Sequence, residues 1–194
     1  MRKIIVAEFI TLDGVIQAPG GAEEDTEGGF AYGGWTQPYW HEAIGTHFFQ
    51  TFSQAGALLL GRKTWQIHGG AFEPMPAGDP FGDAMNGIQK YVVSTTLKSA
   101  SAWRNSTLIS NNIVEQVRQL KQQPGKDILT DGSSMLVHTL IENDLVDEFA
   151  LHVYPLALGS GKRLFPQDKR VNLKLYESEA LPTGVIYQRY QVIP

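Results

Sequence analysis

The sequence DILTDGSSMLVHTLIENDLVDEFALHVYPLALGSGKRLF, residues 127–165, places a strand, a turn, a helix and a second strand in close succession. Ile128 and Leu129 form a short apolar run, which predicts a buried strand. From Met135 the apolar residues recur at three- and four-residue spacing, which predicts a helix that ends at Asn143-Asp144. Residues 146–154 predict the second strand. A strand, a helix and a strand in this order are typical of an α/β sheet.

The turn at residues 130–133 has the composition of an anion site. Gly132 lets a phosphate approach the backbone, while Ser133 and Ser134 can cap the helix or hydrogen-bond the phosphate. The first-turn N–H groups of a helix lack intrahelical partners, and the helix dipole adds partial positive charge there. An ordinary strand-to-helix turn also needs a glycine and a cap, so the turn taken alone leaves both interpretations open.

Composition narrows the class of protein. With 194 residues, 42% of them hydrophobic and 19% charged, the chain predicts one globular domain over residues 1–194. The absence of cysteine excludes disulfides and thiolate chemistry and favours the cytoplasm. A net charge of −4 argues against nucleic acid as a partner, and no apolar run is long enough to cross a membrane. The five histidines show no zinc-ligand spacing, so no metal is expected.

The remaining chain continues the α/β pattern. Closely connected strands at the C-terminus must pair antiparallel, so the predicted sheet is mixed, mostly parallel, with helices on both faces. Residues 68–86 are rich in Gly and Pro and predict a loop. Further strands are predicted at 3–11, 57–60, 90–94, 107–109, 171–180 and 185–192, and further helices at 38–52, from 61, and from Asn112, where Asn112 and Glu115 suggest a capping box.

Four motifs lie along the chain in a recognisable order. They are Leu12-Asp13-Gly14, Gly61-Arg62-Lys63-Thr64-Trp65, the Asp131–Ser134 turn, and Asp147-Glu148 leading to Pro155 and to Gly159–Phe165. Together they resemble the NADPH-dependent reductase domain at the C-terminus of the bifunctional riboflavin-biosynthesis deaminase-reductase, a member of the dihydrofolate reductase-like superfamily. The resemblance covers essentially the whole chain. It implies a three-layer dihydrofolate reductase-like fold and reduction of a small heterocycle with NADPH.

The resemblance also assigns cofactor-binding residues. One helix start would hold the 2′-phosphate side of NADPH and the other a further phosphate, so that the two starts grip the two ends of the dinucleotide. Ile16 and Asp13 would flank the nicotinamide, and Asp13 is the catalytic candidate, orienting substrate or a water. The cofactor-binding candidates are Ala7, Ile16, Gly61, Arg62, Lys63, Thr64, Ser94, Thr95, Thr96, Asp131, Gly132, Ser133, Ser134 and Met135.

The substrate side is less well defined. Folate-reducing relatives carry a carboxylate on the helix equivalent to residues 38–52. The predicted apolar stripe of this helix is Trp40, Ile44, Phe48 and Phe52. Glu42 projects away from the stripe, and His41 faces inward with different chemistry, which puts folate reduction in doubt and leaves the proton donor unnamed. Aromatic residues between Phe30 and Trp40 suit stacking on a flat heterocycle or packing of the neighbouring loop, and at least one of them is expected in the pocket. The substrate-binding candidates are Trp35, Trp40, His41 and Tyr154; His152 could also reach the cleft or be structural.

Residues 17–34 contain many glycines and acidic residues and almost no aliphatic side chains, which predicts a mobile surface loop. The loop is either a lid over the cleft or a disordered insertion. A zinc deaminase unit is impossible without cysteine, so a stand-alone reductase with a small-molecule substrate other than the riboflavin precursor is expected, forming a homodimer. The alternatives are a non-catalytic NADP(H)- or nucleotide-binding protein of the same fold and an enzyme that uses flavin.

Overall fold

The computed structural model describes residues 1–194, and its strands form one eight-stranded mixed sheet in the order β4-β3-β2-β5-β1-β6-β8-β7. The first six strands in the chain run parallel, while β8 pairs antiparallel with both β6 and β7. The strands are β1 Ile4–Thr11, β2 Ala55–Gly61, β3 Gln89–Val93, β4 Ser106–Ile109, β5 Asp127–Thr130, β6 Glu148–Tyr154, β7 Asn172–Ala180 and β8 Ile186–Ile193.

Helices cover both faces of the sheet, as the sequence predicts. They are α1 Glu42–Gln54, α2 Arg62–Phe72, α3 Pro80–Gly87, α4 Ile113–Gln122 and α5 Ser134–Glu142. Alternate residues of β1 point to opposite faces. Ile4 and Val6 pack with α4 and α5, whereas Ile5 packs with residues of α2 and α3. No helix is long and apolar enough to cross a membrane.

The predicted strands are confirmed to within a few residues, but three helical predictions need correction. Residues 68–86 are not one loop, because α2 continues to Phe72 and α3 begins at Pro80. The Asp79 carboxylate accepts hydrogen bonds from the first N–H groups of α3, so an N-cap followed by proline marks this helix. Asn112 does not form the expected capping box, since its backbone is left-handed and its side chain makes no cap bond.

The helix predicted over 38–52 begins later, at Glu42, after a short 3₁₀ turn at Gln37–Tyr39. Its buried side runs through Ile44, His47 and Thr51 rather than through Trp40. The later start leaves Trp40 outside the helix and places His47 and Thr51 on its buried side.

The loop of residues 17–34 forms no long element, in agreement with its composition, yet it is tied together by hydrogen bonds. The Gln17 side-chain amide donates to the carbonyls of Asp25 and Glu27, and the Trp35 indole donates to the Gln17 carbonyl at 2.8 Å. These contacts fold the loop back on itself. Gln17, Asp25 and Glu27 line a cleft at the ends of the parallel strands, which is described below.

Candidate functional site

A cleft of about 670 Å³ opens where the parallel strands β1, β2, β3 and β5 end. In an open α/β sheet, ligands bind at these carboxyl ends. Every cofactor-binding candidate from the sequence lies on its wall. Those residues are Ala7, Ile16, Gly61, Arg62, Lys63, Thr64, Ser94, Thr95, Thr96, Asp131, Gly132, Ser133, Ser134 and Met135.

The starts of α2 and α5 lie against each other in this cleft. A Cβ on Gly61 would collide with the Ser133 hydroxyl, and a Cβ on Gly132 would lie 2.9 Å from Thr64 Cγ2. Gly132 also has a φ of 66°, which favours glycine. The two helix starts, Gly61–Thr64 and Gly132–Met135, therefore form one cradle. The expectation that the two starts grip the two ends of a dinucleotide stays a prediction.

Neither helix start in the cradle is capped by a side chain. Gly61 has no side chain to offer, and the Ser133 hydroxyl at the N-cap position of α5 makes no cap hydrogen bond. The first N–H groups of both helices are therefore available to an anion, and both helix dipoles add positive potential at the same place.

Acidic side chains of the 17–34 loop form ion pairs with two lysines near the cradle. Glu27 forms an ion pair with Lys63 at 2.6 Å and also contacts Lys162, which Asp25 contacts as well. Hydrogen bonds from Lys162 and then Lys63 lower the pKa of Glu27 to about 2. Arg62 instead hydrogen-bonds the Gln66 amide at 3.1 Å, so its charge is not neutralised by a carboxylate.

The cleft wall also contains a buried carboxyl that the sequence analysis missed. Glu8 is 6% exposed, and its Oε1 has no hydrogen-bond partner in the protein. Burial, and next the negative charge of Asp131, raise the pKa of Glu8 well above its usual value. The raised pKa favours the neutral, protonated form of this carboxyl, which would not repel an anion in the cradle. A polar residue within the apolar run of β1 was the available signal.

A second part of the cleft lies beside α1; we call it the α1 compartment, formed by Phe9, Phe48, Thr51, His152 and Tyr187. The rings of Phe9 and His152 lie 5.4 Å apart at their centroids, and Thr51 Oγ1 is 3.4 Å from the Tyr187 hydroxyl. None of these five side chains carries a formal charge at neutral pH, because burial and the neighbouring His47 lower the pKa of His152 to about 3. The α1 compartment is therefore lined by uncharged side chains, most of them aromatic rings.

The four substrate-binding candidates lie outside the cleft. Trp35 and Tyr154 are buried and pack edge-to-face, with their ring centroids 5.2 Å apart. Trp40 is 67% exposed, and His41 caps α1 by accepting a hydrogen bond from the Ala43 N–H. The aromatic-rich segment therefore anchors the loop, and its side chains do not reach the cleft, contrary to the expectation that at least one would.

Asp13 is also placed away from the cleft. Its carboxylate accepts hydrogen bonds from the Thr11 hydroxyl and from the backbone N–H groups of Leu158 and Gly159. The Thr11 hydrogen bond is the largest cause of its lowered pKa. Arg163 contacts it as well. Asp13 thus ties the loop after β1 to the loop after β6 and does not line the cleft; the catalytic role expected from the sequence stays a prediction.

The sheet order and the cleft at the strand ends define a dihydrofolate reductase-like α/β protein. A putative riboflavin biosynthesis protein from Shewanella sp. PV-4 superposes with a TM-score of 0.75 at 19% identity, covering 99% of both chains. Dihydrofolate reductase from Enterococcus faecalis, solved as a complex with NADP(H), superposes with a TM-score of 0.61 at 16% identity, covering 99% of this chain and 97% of that one.

The chain belongs to the RibD C-terminal domain family, whose model matches residues 2–187. A relative in Bacillus subtilis strain 168, the uncharacterized protein YyaP, is 32% identical over 193 residues, which cover 95% of this chain and 92% of YyaP. The superpositions show that the chain shares the dihydrofolate reductase-like fold.

Proposed function

We propose that this protein is an NADPH-dependent reductase that transfers a hydride to a small, uncharged heterocycle. The observation that carries the proposal is the cradle: two uncapped helix starts in mutual contact, at the end of a parallel sheet, beside an uncharged compartment. A dinucleotide cofactor has a phosphate-rich part and a flat ring, and the two parts of the cleft match these in chemistry.

The residues of the cradle fit the phosphates of such a cofactor. The N–H groups at the starts of α2 and α5 would hold the pyrophosphate, with the hydroxyls of Thr64, Ser133 and Ser134 beside them. Ser94, Thr95 and Thr96 add three hydroxyl groups after β3. A bound nicotinamide would supply the hydride, and the protein supplies orientation and exclusion of water.

The charges favour NADPH over NADH. Arg62 stands at the first position of α2 without a carboxylate partner, whereas Lys63 is engaged by Glu27. A 2′-phosphate is a strong partner for an arginine, whose planar donors bind phosphate oxygens in pairs. Arg62 is therefore proposed to select the phosphorylated dinucleotide.

The substrate proposal rests on the α1 compartment. Its aromatic walls suit a flat ring, and the hydroxyls of Thr51 and Tyr187 with the imidazole of His152 offer hydrogen bonds to ring nitrogens and carbonyls. With no lysine or arginine among its five residues, the compartment suits an uncharged ring better than a phosphorylated one. A pterin- or pyrimidine-like heterocycle has this chemistry.

One observation favours the alternative of a non-catalytic dinucleotide-binding protein. The one carboxylate on α1, that of Glu42, is exposed and does not line the cleft, so the helix offers no acid to a substrate. This alternative predicts the same cofactor affinity without turnover.

Two measurements on the purified protein test the proposal. Quenching of tryptophan fluorescence by NADPH measures binding, and loss of the nicotinamide absorbance measures oxidation with pterin, dihydrofolate and pyrimidine candidates. Binding followed by oxidation supports the reductase. Binding without oxidation across the panel supports the non-catalytic alternative, and a yellow protein would indicate flavin instead. A cytoplasmic location and a homodimer remain proposals, the second tested by light scattering after gel filtration.

A further inference from the structure

Two histidines and a glutamate form a continuous hydrogen-bonded chain from the protein surface to the cleft. His47 Nδ1 lies 3.3 Å from His152 Nε2, and His47 Nε2 lies 3.3 Å from Glu179 Oε2. The Glu179 side chain is 57% exposed, while His47 and His152 are each 5% exposed. The chain therefore begins in solvent at β7 and ends within the wall of the α1 compartment.

The inner end of this chain is open to a ligand. His152 Nδ1 makes no hydrogen bond within the protein, and this nitrogen is not sealed from solvent. Because the His152 ring lines the cleft, Nδ1 opens to the cleft. Tyr187 stacks on His47 with 4.0 Å between ring centroids, which holds the ring plane in line with both partners. Packing thus fixes both imidazoles in the orientation that a proton relay needs.

We propose that His152 is the proton donor to the substrate, and that His47, oriented by Glu179, passes a proton to the second nitrogen of His152 in the same step. This inference rests on the proposed reductase function, because a hydride transfer to a C=N bond requires a proton at the nitrogen. It also names the acid that α1 does not provide as a carboxylate. His152 touches the substrate, and the other two act through it.

The proton balance is closed by the two rings. With His47 doubly protonated, its Nε2–H donates to Glu179 and its Nδ1–H donates to His152 Nε2. The bond from His152 Nδ1 to its proton breaks as the substrate nitrogen takes that proton, and His152 Nε2 takes the Nδ1 proton of His47. The substrate gains one hydride and one proton, and the cofactor is oxidised. After product release, water in the cleft returns a proton to His152 Nδ1, while the Nε2 proton of His152 goes back to His47 Nδ1.

The groups around the pair suit this role. Glu179 on β7 is the one formal charge in contact with it; Phe9 on β1, Thr51 on α1 and Tyr187 on β8 supply uncharged neighbours. Burial and the charge of His47 hold the pKa of His152 near 3, so the ring is neutral and carries a single proton throughout the physiological range.

Histidine nitrogen spectra of the labelled protein test the relay without cofactor or substrate. We expect His152 to remain neutral from pH 5 to 8 with its proton on Nδ1. We also expect the surface substitution Glu179→Gln to shift the nitrogen resonances of His47 and the Nε2 resonance of His152. A proton on His152 Nε2, or His152 resonances that ignore Glu179→Gln, would overturn the relay.

Kinetics separate proton delivery from a structural role. With the heterocycle that the wild-type protein reduces, His152→Gln and His47→Gln should lower the rate by about 100-fold, a typical contribution of general acid catalysis. NADPH affinity should be unchanged, and His138→Gln, on the opposite face in α5, should match the wild type. A loss below threefold, or an equal loss of NADPH affinity, would contradict the proposal. If the wild type binds no NADPH, the proposed function fails and the nitrogen spectra alone decide the relay.

Discussion

Replacing Glu8 by glutamine should change how the stability of the protein depends on pH. Its folded-state pKa is raised, so the folded chain keeps a proton that the unfolded chain releases above its ordinary pKa of 4.5. The contribution of Glu8 to the free energy of unfolding therefore falls as pH rises, by about 1.4 kcal/mol per pH unit until the folded-state pKa is reached. Glutamine has nearly the same shape and no proton to lose, so this slope disappears.

The expected difference is large enough to measure. Between pH 5 and pH 7 the free energy of unfolding of Glu8→Gln should gain up to about 2.7 kcal/mol relative to the wild type. Urea denaturation at pH 5, 6 and 7 measures it, and a constant offset from the new amide cancels in the comparison. Glu42→Gln, on the exposed side of α1, is the control and should parallel the wild type. Parallel curves for Glu8→Gln would refute the assignment of a protonated, buried carboxyl.

Three further substitutions test the cofactor end of the cleft. Gly132→Val should abolish NADPH binding in calorimetry, because its Cβ would lie 2.9 Å from a methyl of α2 at a φ of 66°. Gly70→Ala, in open space on α2, is the control. Unchanged NADPH affinity of the valine variant would mean that this turn is not part of the site. Arg62→Ala should weaken the binding of NADPH by roughly 10-fold or more and that of NADH little, since a charged hydrogen bond contributes about 1.5–3 kcal/mol. Equal weakening of both affinities would mean that Arg62 does not contact the 2′-phosphate. Glu27→Gln should tighten NADPH binding, because it frees Lys63 and removes one of the two carboxylate partners of Lys162. Weaker binding would mean that Glu27 does not compete with the cofactor phosphates for these lysines.

The fold was largely predictable because its signals are local. Apolar runs such as residues 57–60 and 128–129 mark buried strands wherever they occur, and glycine with serine or threonine after them marks helix starts. The cofactor candidates share the cleft because the ends of parallel strands meet at one edge of the sheet. The helix α3 was missed, although Asp79-Pro80 carried its start signal within a Gly- and Pro-rich stretch.

The substrate side could not be predicted in the same way. His47 and His152 are 105 residues apart, and their contact depends on the rotation of α1 and on β6 pairing with β8. The sequence places Asp13 and Tyr154 near the ends of β1 and β6, but it does not show which way their side chains face. Tertiary packing instead turned Asp13 toward the loop after β6 and Tyr154 into the aromatic anchor. Whether a side chain faces the cleft or the neighbouring loop is decided by such long-range contacts.

The central claim is that the joined starts of α2 and α5 bind the phosphates of a dinucleotide. A crystal structure of the protein grown with NADPH tests it most directly. We expect pyrophosphate oxygens about 2.7–3.2 Å from backbone nitrogens at the starts of both helices, with the nicotinamide directed toward His152. A dinucleotide bound elsewhere, or a cradle without it at saturating concentration, would contradict the account.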